Sequence, residues 1–364
     1  AVHHVLHSEH NRLVEQFKVD LAADADPTRL ADWQTSPGVW NGQRLFQAAK
    51  FVTEMEYQHL AFEEFTRKVQ PLVNVFAGYD SSLDASITVE FSQATYRFGH
   101  SMLNNDVARY DIDPVTGAAI VDNMTLFDAF LNPPAFLDGY SSPEDAAAAI
   151  FRGGTATVGQ EIDEFVVNAL RNQLLGLPLD LAAINIARGR DYGIAPLNEM
   201  RRQLYVLFNN DSSLAPYANW TEYGLELSTP ESLPNFIAAY GTHPFLDTYD
   251  DGGALIAGSM EARRAAATLM TSGDTLAPAD TAEFMNGLPP YDVDLGGLED
   301  VDLWVGGLAE KKEIFGGLLG TTHNAIFEIQ LENLQDGDRF YYLHRLAGQD
   351  LLAGLEGNSF AELI

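Results

Sequence analysis

The chain has 364 residues, 46% of them hydrophobic and none of them cysteine, with 52 acidic against 21 basic residues for a formal charge of −31. That length and apolar share suffice to bury a large core, which excludes a disordered chain. An anionic field repels a phosphate backbone and argues against nucleic acid as a partner, and the lack of cysteine excludes disulfides, thiolate metal sites, iron–sulfur clusters and cysteine nucleophiles. No run of about 18 apolar residues occurs, so no membrane span is expected. Histidine and carboxylates are left to carry any metal chemistry.

Apolar residues Val2, Val5, Leu6, Leu13, Val14 and Phe17 follow helical spacing from the first residues onward. The segment "DPTRLADWQTSPGVWNG" is expected to be a loop. A long helix, or two in line, is predicted over 41–70 from Leu45, Phe46, Ala49, Val52, Met55, Leu60 and Phe65. "GYDSSLDAS" at 78–86 is turn chemistry, and a helix of about 15–20 residues around His100 should follow it, ending before the Asn/Asp cluster at 104–106. A further amphipathic helix is expected at 161–175, on the stripe Ile162, Phe165, Val166, Ala169, Leu170 and Leu174. "RGRDYGIAP" at 188–196 reads as a Gly/Pro loop before a helix bearing Met200, Leu204 and Leu207. Residues 323–334 alternate briefly and fit helix or strand. Acidic loops are expected at 209–232 and 247–253, and a Gly/Pro-rich one at 287–298. The class is mainly α with long loops and little β-structure, and residues 1–364 form one domain. That domain is expected to be cut at both ends, because "AVHHVLHSEHNR" begins and "NSFAELI" ends within structure.

His100 sits in "TYRFGHSML", a stretch patterned like a buried helix. Taken alone, a histidine there is a satisfied core residue more often than a ligand. Its neighbours point the other way. Gly99 costs roughly 0.5–1 kcal/mol of helix stability against alanine and lets a bulky group approach the backbone, while Arg97 places a permanent cation close by. A flat anionic cofactor with an iron centre and two propionates uses both features, imidazole on iron and guanidinium on carboxylate.

"ATYRFGHSML" resembles the proximal-histidine helix of the animal-type haem peroxidases, the peroxidase–cyclooxygenase superfamily. Four further segments match in family order. "HSEHNRLVEQF" resembles the family's REHNR helix, with Ser8 in place of arginine. "NIARGRDYGIAPLNEMR" resembles its RGRDHG-x-P-x-YN-x-x-R stretch, with Tyr192 in place of histidine and Leu197 in place of tyrosine. "EDVDLWVGGLAE" and "LQDGDRFYY" complete the series.

The resemblance implies a myeloperoxidase-like, multi-helix fold and a haem b cofactor whose iron takes His100 as axial ligand. It implies that Asn198 orients the imidazole through its other ring nitrogen and that Arg97 and Arg201 pair with haem propionates. From the residues alone, a loop-capping Asn198 and two solvated arginines are the preferred reading. Ion-pair roles are expected for "EHNR" and for the "GRD" core, and close packing for Trp304 with Gly306 and Gly307. His59, His323 and His344 have no supporting constellation.

Peroxide cleavage also wants a distal base and a distal cation. In the family both lie upstream of the REHNR helix, as do calcium ligands, so the distal histidine, distal arginine and calcium site are expected on sequence before residue 1 or on another chain. The expected activity is a haem peroxidase of the bacterial secreted type, using hydrogen peroxide to oxidise a halide, a phenol or Mn(II). A fatty-acid dioxygenase is disfavoured because Arg97 stands where those enzymes place a radical-forming tyrosine. The alternative is a non-catalytic peroxidase-fold domain, a structural or adhesive module of a large extracellular protein.

Overall fold

A computed structural model describes residues 1–172 and 177–364. Helices α1 (Val2–Ala23) and α2 (Gly42–His59) pack along each other through Leu13, Ala49 and Val52. Helix α2 starts where the Asn41 side chain accepts the Arg44 N–H, and it runs on through a π-helical stretch, Leu60–Thr66, to Val69. The expected long helix over 41–70 is therefore present. The segment before it is more ordered than its Pro/Gly content suggests. Pro27–Asp32 is a capped helical turn, and β1 (Gln34–Ser36) pairs with β2 (Val39–Trp40) across Gly38 at φ +79°.

Beyond them lie α3 (Val89–Gln93), α4 (Pro143–Ala156), α5 (Leu181–Asp191), α6 (Leu197–Leu207), α7 (Leu233–Tyr240), α8 (Met260–Ser272), α9 (Leu303–Ala309) and α10 (Thr321–Asp336). The main core joins α6, α9 and α10 with α7 and α8, around Trp220, Tyr223, Phe284 and Phe327. Among the described residues, β-structure is confined to two-stranded antiparallel pairs. Besides β1 and β2 they are β3 (Asp106–Val107) with β6 (Met124–Thr125), and β4 (Tyr110–Ile112) with β5 (Ala119–Val121), where Tyr110 faces Val121.

Four expectations change. No single long helix surrounds His100: α3 ends at Ala94, whose φ −121° and ψ −74° break the register, and the chain tightens into a 3₁₀ helix from Thr95 to His100. Among the described residues of 161–175 only Asn168–Arg171 is helical, and 173–175, with Leu174, lie outside them. "GRD" at 189–191 is not loop but the last turn of α5, a helix that starts where Asp180 caps Ala182 and Ala183 and runs through Gly189. The acidic stretch 209–232 contains a helical turn, Trp220–Leu225. Residues 323–334, which fit two states by pattern, are helical because α10 is buried on most sides, from Thr322 to Gln335.

Candidate functional site

The 3₁₀ geometry sets the site. With three residues per turn, residues i and i+3 fall on one edge. Thr95, Phe98 and Ser101 form the buried edge, leaving Arg97 and His100 together on a second and Tyr96, Gly99 and Met102 on a third. Three bonds hold the buried edge in place. Thr95 Oγ1 and His323 Nδ1 lie 2.9 Å apart, His323 Nε2 and the Trp304 carbonyl 3.1 Å, and the Trp304 indole N–H donates to the Arg97 carbonyl at 3.3 Å. A carbonyl only accepts, so Nε2 of His323 carries the proton and Nδ1 takes the threonine hydroxyl. Burial keeps this ring neutral by pushing its pKa down. A Cβ on Gly307 would stand 2.8 Å from the His323 ring, which is why α9 needs glycine there. The sequence left His323 without a role, and the fold makes it the brace of the His100 segment.

On the opposite edge, His100 is half-buried, with Nδ1 2.8 Å from the side-chain amide nitrogen of Asn185. Burial and the charge of Arg97 lower its pKa, so the ring is neutral, as a metal ligand must be. Asn185 is fully buried and its Oδ1 has no partner among the described residues. Exchanging the two amide atoms puts Oδ1 against an Nδ1–H. Either orientation leaves one amide atom unpaired, but only the exchanged one frees the Nε2 lone pair for a metal.

Arg97 donates to Gln93 Oε1 at 2.6 Å, and its buried Nε has no partner among the described residues. Its pKa is lowered by burial and then by the nearby charge of Arg188, which stands on α5 one turn beyond Asn185. Neither guanidinium has a carboxylate partner among the described residues, although acids outnumber bases more than two to one in this chain. Two close, anion-free arginines beside a neutral imidazole, next to open space at Gly99, suit a ligand bearing carboxylates.

The model of the family described as "Animal haem peroxidase" matches residues 1–267 and 291–364. The chain belongs to the animal haem peroxidase family. It is 24% identical over 347 residues to Peroxidase mlt-7 of Caenorhabditis elegans, covering 94% of this chain and 36% of that one. To Peroxinectin A of Dictyostelium discoideum it is 26% identical over 256 residues, covering 69% and 41%. Among solved structures, Peroxidase A from Dictyostelium discoideum superposes with a TM-score of 0.63 at 23% identity, over 99% of this chain and 53% of that one. A fatty acid alpha-dioxygenase of Arabidopsis thaliana follows at 0.55 and 16%, over 99% and 50%. These two structures share the fold. The chain spans about a third to a half of the length of these relatives.

The haem that the family implies fits the His100 edge: a neutral imidazole whose Nε2 has no partner among the described residues, a buried amide with an unpaired atom behind it, and two arginines without a carboxylate partner among those residues. Two residues expected there stand elsewhere. Asn198 uses its amide on the Tyr217 backbone, donating to the carbonyl at 2.9 Å and accepting from the N–H at 2.8 Å, and it also donates to Glu299. Arg201 is buried against Glu310 at 2.8 Å, bonds Thr322 and the Ala215 and Ser213 carbonyls, and lies over the Tyr217 ring. With all three nitrogens bonded, it has nothing to offer a propionate. Asn185, not Asn198, lies against His100, and Arg188, not Arg201, stands near Arg97. Their signal lies in "DLAAINIARGRD": an Asp cap and an i, i+3 pair that become visible once Gly189 is read as helical.

The structural expectations for the other motifs hold. Glu9 and Arg12 of "EHNR" form a bidentate pair at 2.6 and 2.7 Å. Arg190 of "GRD" forks onto Asp302, which also accepts the Tyr240 hydroxyl at 2.7 Å. His59 is packed between Tyr342 and the Asn358 carbonyl. No helix is long and apolar enough to cross a membrane among the described residues.

Proposed function

We propose that this chain supplies the proximal half of a haem peroxidase site, with His100 Nε2 as the axial iron ligand. The observation that carries the reading is the His100–Asn185 pair beside two arginines that have no carboxylate partner among the described residues. Haem, when bound, supplies an iron centre that hydrogen peroxide oxidises. The chain's own residues then do three things. Asn185 Oδ1 accepts the Nδ1 proton, fixing the tautomer and making the imidazole a stronger donor. Arg97 and Arg188 hold the two carboxylates of the cofactor by charge-assisted bonds. His323, through Thr95 and Trp304, keeps the segment from turning.

The electron donor in this reading is small: a halide, a phenol or Mn(II). A peroxidase is favoured over a fatty-acid dioxygenase because Arg97 occupies the position three residues before His100, while Tyr96 lies on another edge with its ring against Phe91. The distal base, distal cation and calcium ligands are assigned to sequence outside residues 1–364, on the same or another chain. Covalent haem links and an extracellular setting rest on the family resemblance alone.

The test is the haem spectrum of the full-length protein. A Soret band is expected in the native protein and is lost or strongly shifted by His100→Ala. An unchanged band refutes the ligand. A normal band with no peroxide-dependent oxidation of iodide, guaiacol or Mn(II) favours the non-catalytic module instead.

A further inference from the structure

We infer that Tyr192 is an oxidisable site at the rim of the haem cradle, through which donors too bulky to reach the haem are oxidised. This rests on the haem reading above.

Asn185, Arg188 and Tyr192 stand at i, i+3 and i+7 on α5, and so share one face. The register persists to Tyr192, whose N–H bonds the Arg188 carbonyl at 3.0 Å and whose backbone is still helical at φ −80°, ψ −4°. One face thus carries, in order, the partner of His100, a guanidinium at the cofactor's carboxylate edge, and a phenol 61% exposed to solvent. Arg97 on the facing segment senses the phenol as well.

The phenol has no hydrogen-bond partner among the described residues. The large interior tyrosines are held differently: Tyr217 donates to Glu310, Tyr240 to Asp302 and Tyr223 to the Gly306 carbonyl. They are buried or half-buried, and burial holds their hydroxyl protons tightly. A donor in solvent cannot stack on them. Tyr192 directly follows the last residue of α5, it faces water, and it caps the helix that touches the proposed iron ligand through Asn185. The sequence departs from the family pattern at this very position.

The step is a one-electron, one-proton transfer. Tyr192 gives an electron toward the haem site that peroxide has oxidised and its phenolic proton to water, becoming a neutral phenoxyl radical. A phenol or aromatic amine docked against it returns one electron and one proton, restoring the phenol. Over one turnover, one hydrogen peroxide takes two electrons and two protons from two donor molecules and leaves as two waters.

Freeze-quench electron paramagnetic resonance of the haem-loaded full-length protein, mixed with one equivalent of hydrogen peroxide and no donor, tests this. A tyrosyl signal is expected in the native protein, lost in Tyr192→Phe and retained in Tyr96→Phe, the other exposed tyrosine near His100. The ratio of the oxidation rate of a polymer-bound phenol to that of iodide should fall in Tyr192→Phe alone. A signal that survives Tyr192→Phe, or disappears with Tyr96→Phe instead, overturns the assignment. If the native protein shows a Soret band that responds to peroxide but no radical dependent on Tyr192, only this inference falls. If it shows no Soret band, the haem reading falls with it.

Discussion

The His100 cradle, half-buried and reaching solvent at Arg188, and the Arg201–Glu310 centre, wholly buried, are both built from polar side chains, and only the second is self-contained. Glu310 receives bonds from Arg201, the Tyr217 hydroxyl, and the Thr322 hydroxyl and N–H, all between 2.7 and 2.9 Å. At His100, among the described residues, polar atoms are left over: one amide atom of Asn185, Arg97 Nε and two guanidiniums without an acid. A buried polar atom without a partner costs roughly 1–3 kcal/mol, so a cluster of them on one edge marks a place completed by something other than the chain. Two arginines from one resemblance thus divide: Arg201 is bonded at every nitrogen, and Arg97 waits for an anion.

The largest effect that sharpens this contrast is on stability. Glu310→Ala leaves the Arg201 charge buried and unpaired, and should cost about 3–5 kcal/mol in urea unfolding. Arg97→Ala and Arg188→Ala should change apoprotein stability by less than about 1 kcal/mol, yet weaken haem binding by roughly 1.5–3 kcal/mol each through a lost charge-assisted bond, as read by haem titration. Equal stability losses at all three would erase the distinction.

The two asparagines give the next contrast. Asn185→Asp should lower the Fe(III)/Fe(II) potential in spectroelectrochemistry, because a carboxylate draws the Nδ1 proton and increases imidazolate character. Asn198→Asp should leave the potential in place and lower stability, since it removes the donor to the Tyr217 carbonyl and faces Glu299. A shift with Asn198→Asp and none with Asn185→Asp would reverse the assignment.

The smallest effect concerns Glu56, a third way of settling a buried polar group. Its Oε2 also lacks a partner, and no ligand is needed to explain it. Burial, then the nearby charge of Glu9, pushes its pKa up to about 7 from an ordinary 4.5. Between those values the folded state keeps a proton that the unfolded state has released, so stability falls as pH rises through the window and stays reduced above it. Glu56→Gln should therefore be more stable than the native protein at pH 8, with the gain fading toward pH 4.5, in denaturant midpoints across that range. A gain that is independent of pH would show that the carboxylate does not titrate there.

Much of the cradle was legible because its decisive geometry is local. His100, Gly99 and Arg97 lie within four residues of one another, and their chemistry follows from types and spacing alone. The length of the helix around them was not legible. Apolar periodicity at 89–100 suits an α-helix, whereas the break at Ala94 and the anchoring of Thr95 by His323 come from contacts with α9 and α10, more than 200 residues away.

By itself, the sequence determined the helical class and the ordered family motifs, and it singled out His100 with Arg97 as the proposed chemical centre, because each is written in residue types at short range. Tertiary structure alone decided which of two asparagines lies against His100 and which of two arginines stands near Arg97. "INIAR" and "LNEMR" present the same residue types three apart, and only the packing of α5 against the 95–100 turn, with α6 turned into the core, separates a ligand's partners from a structural brace.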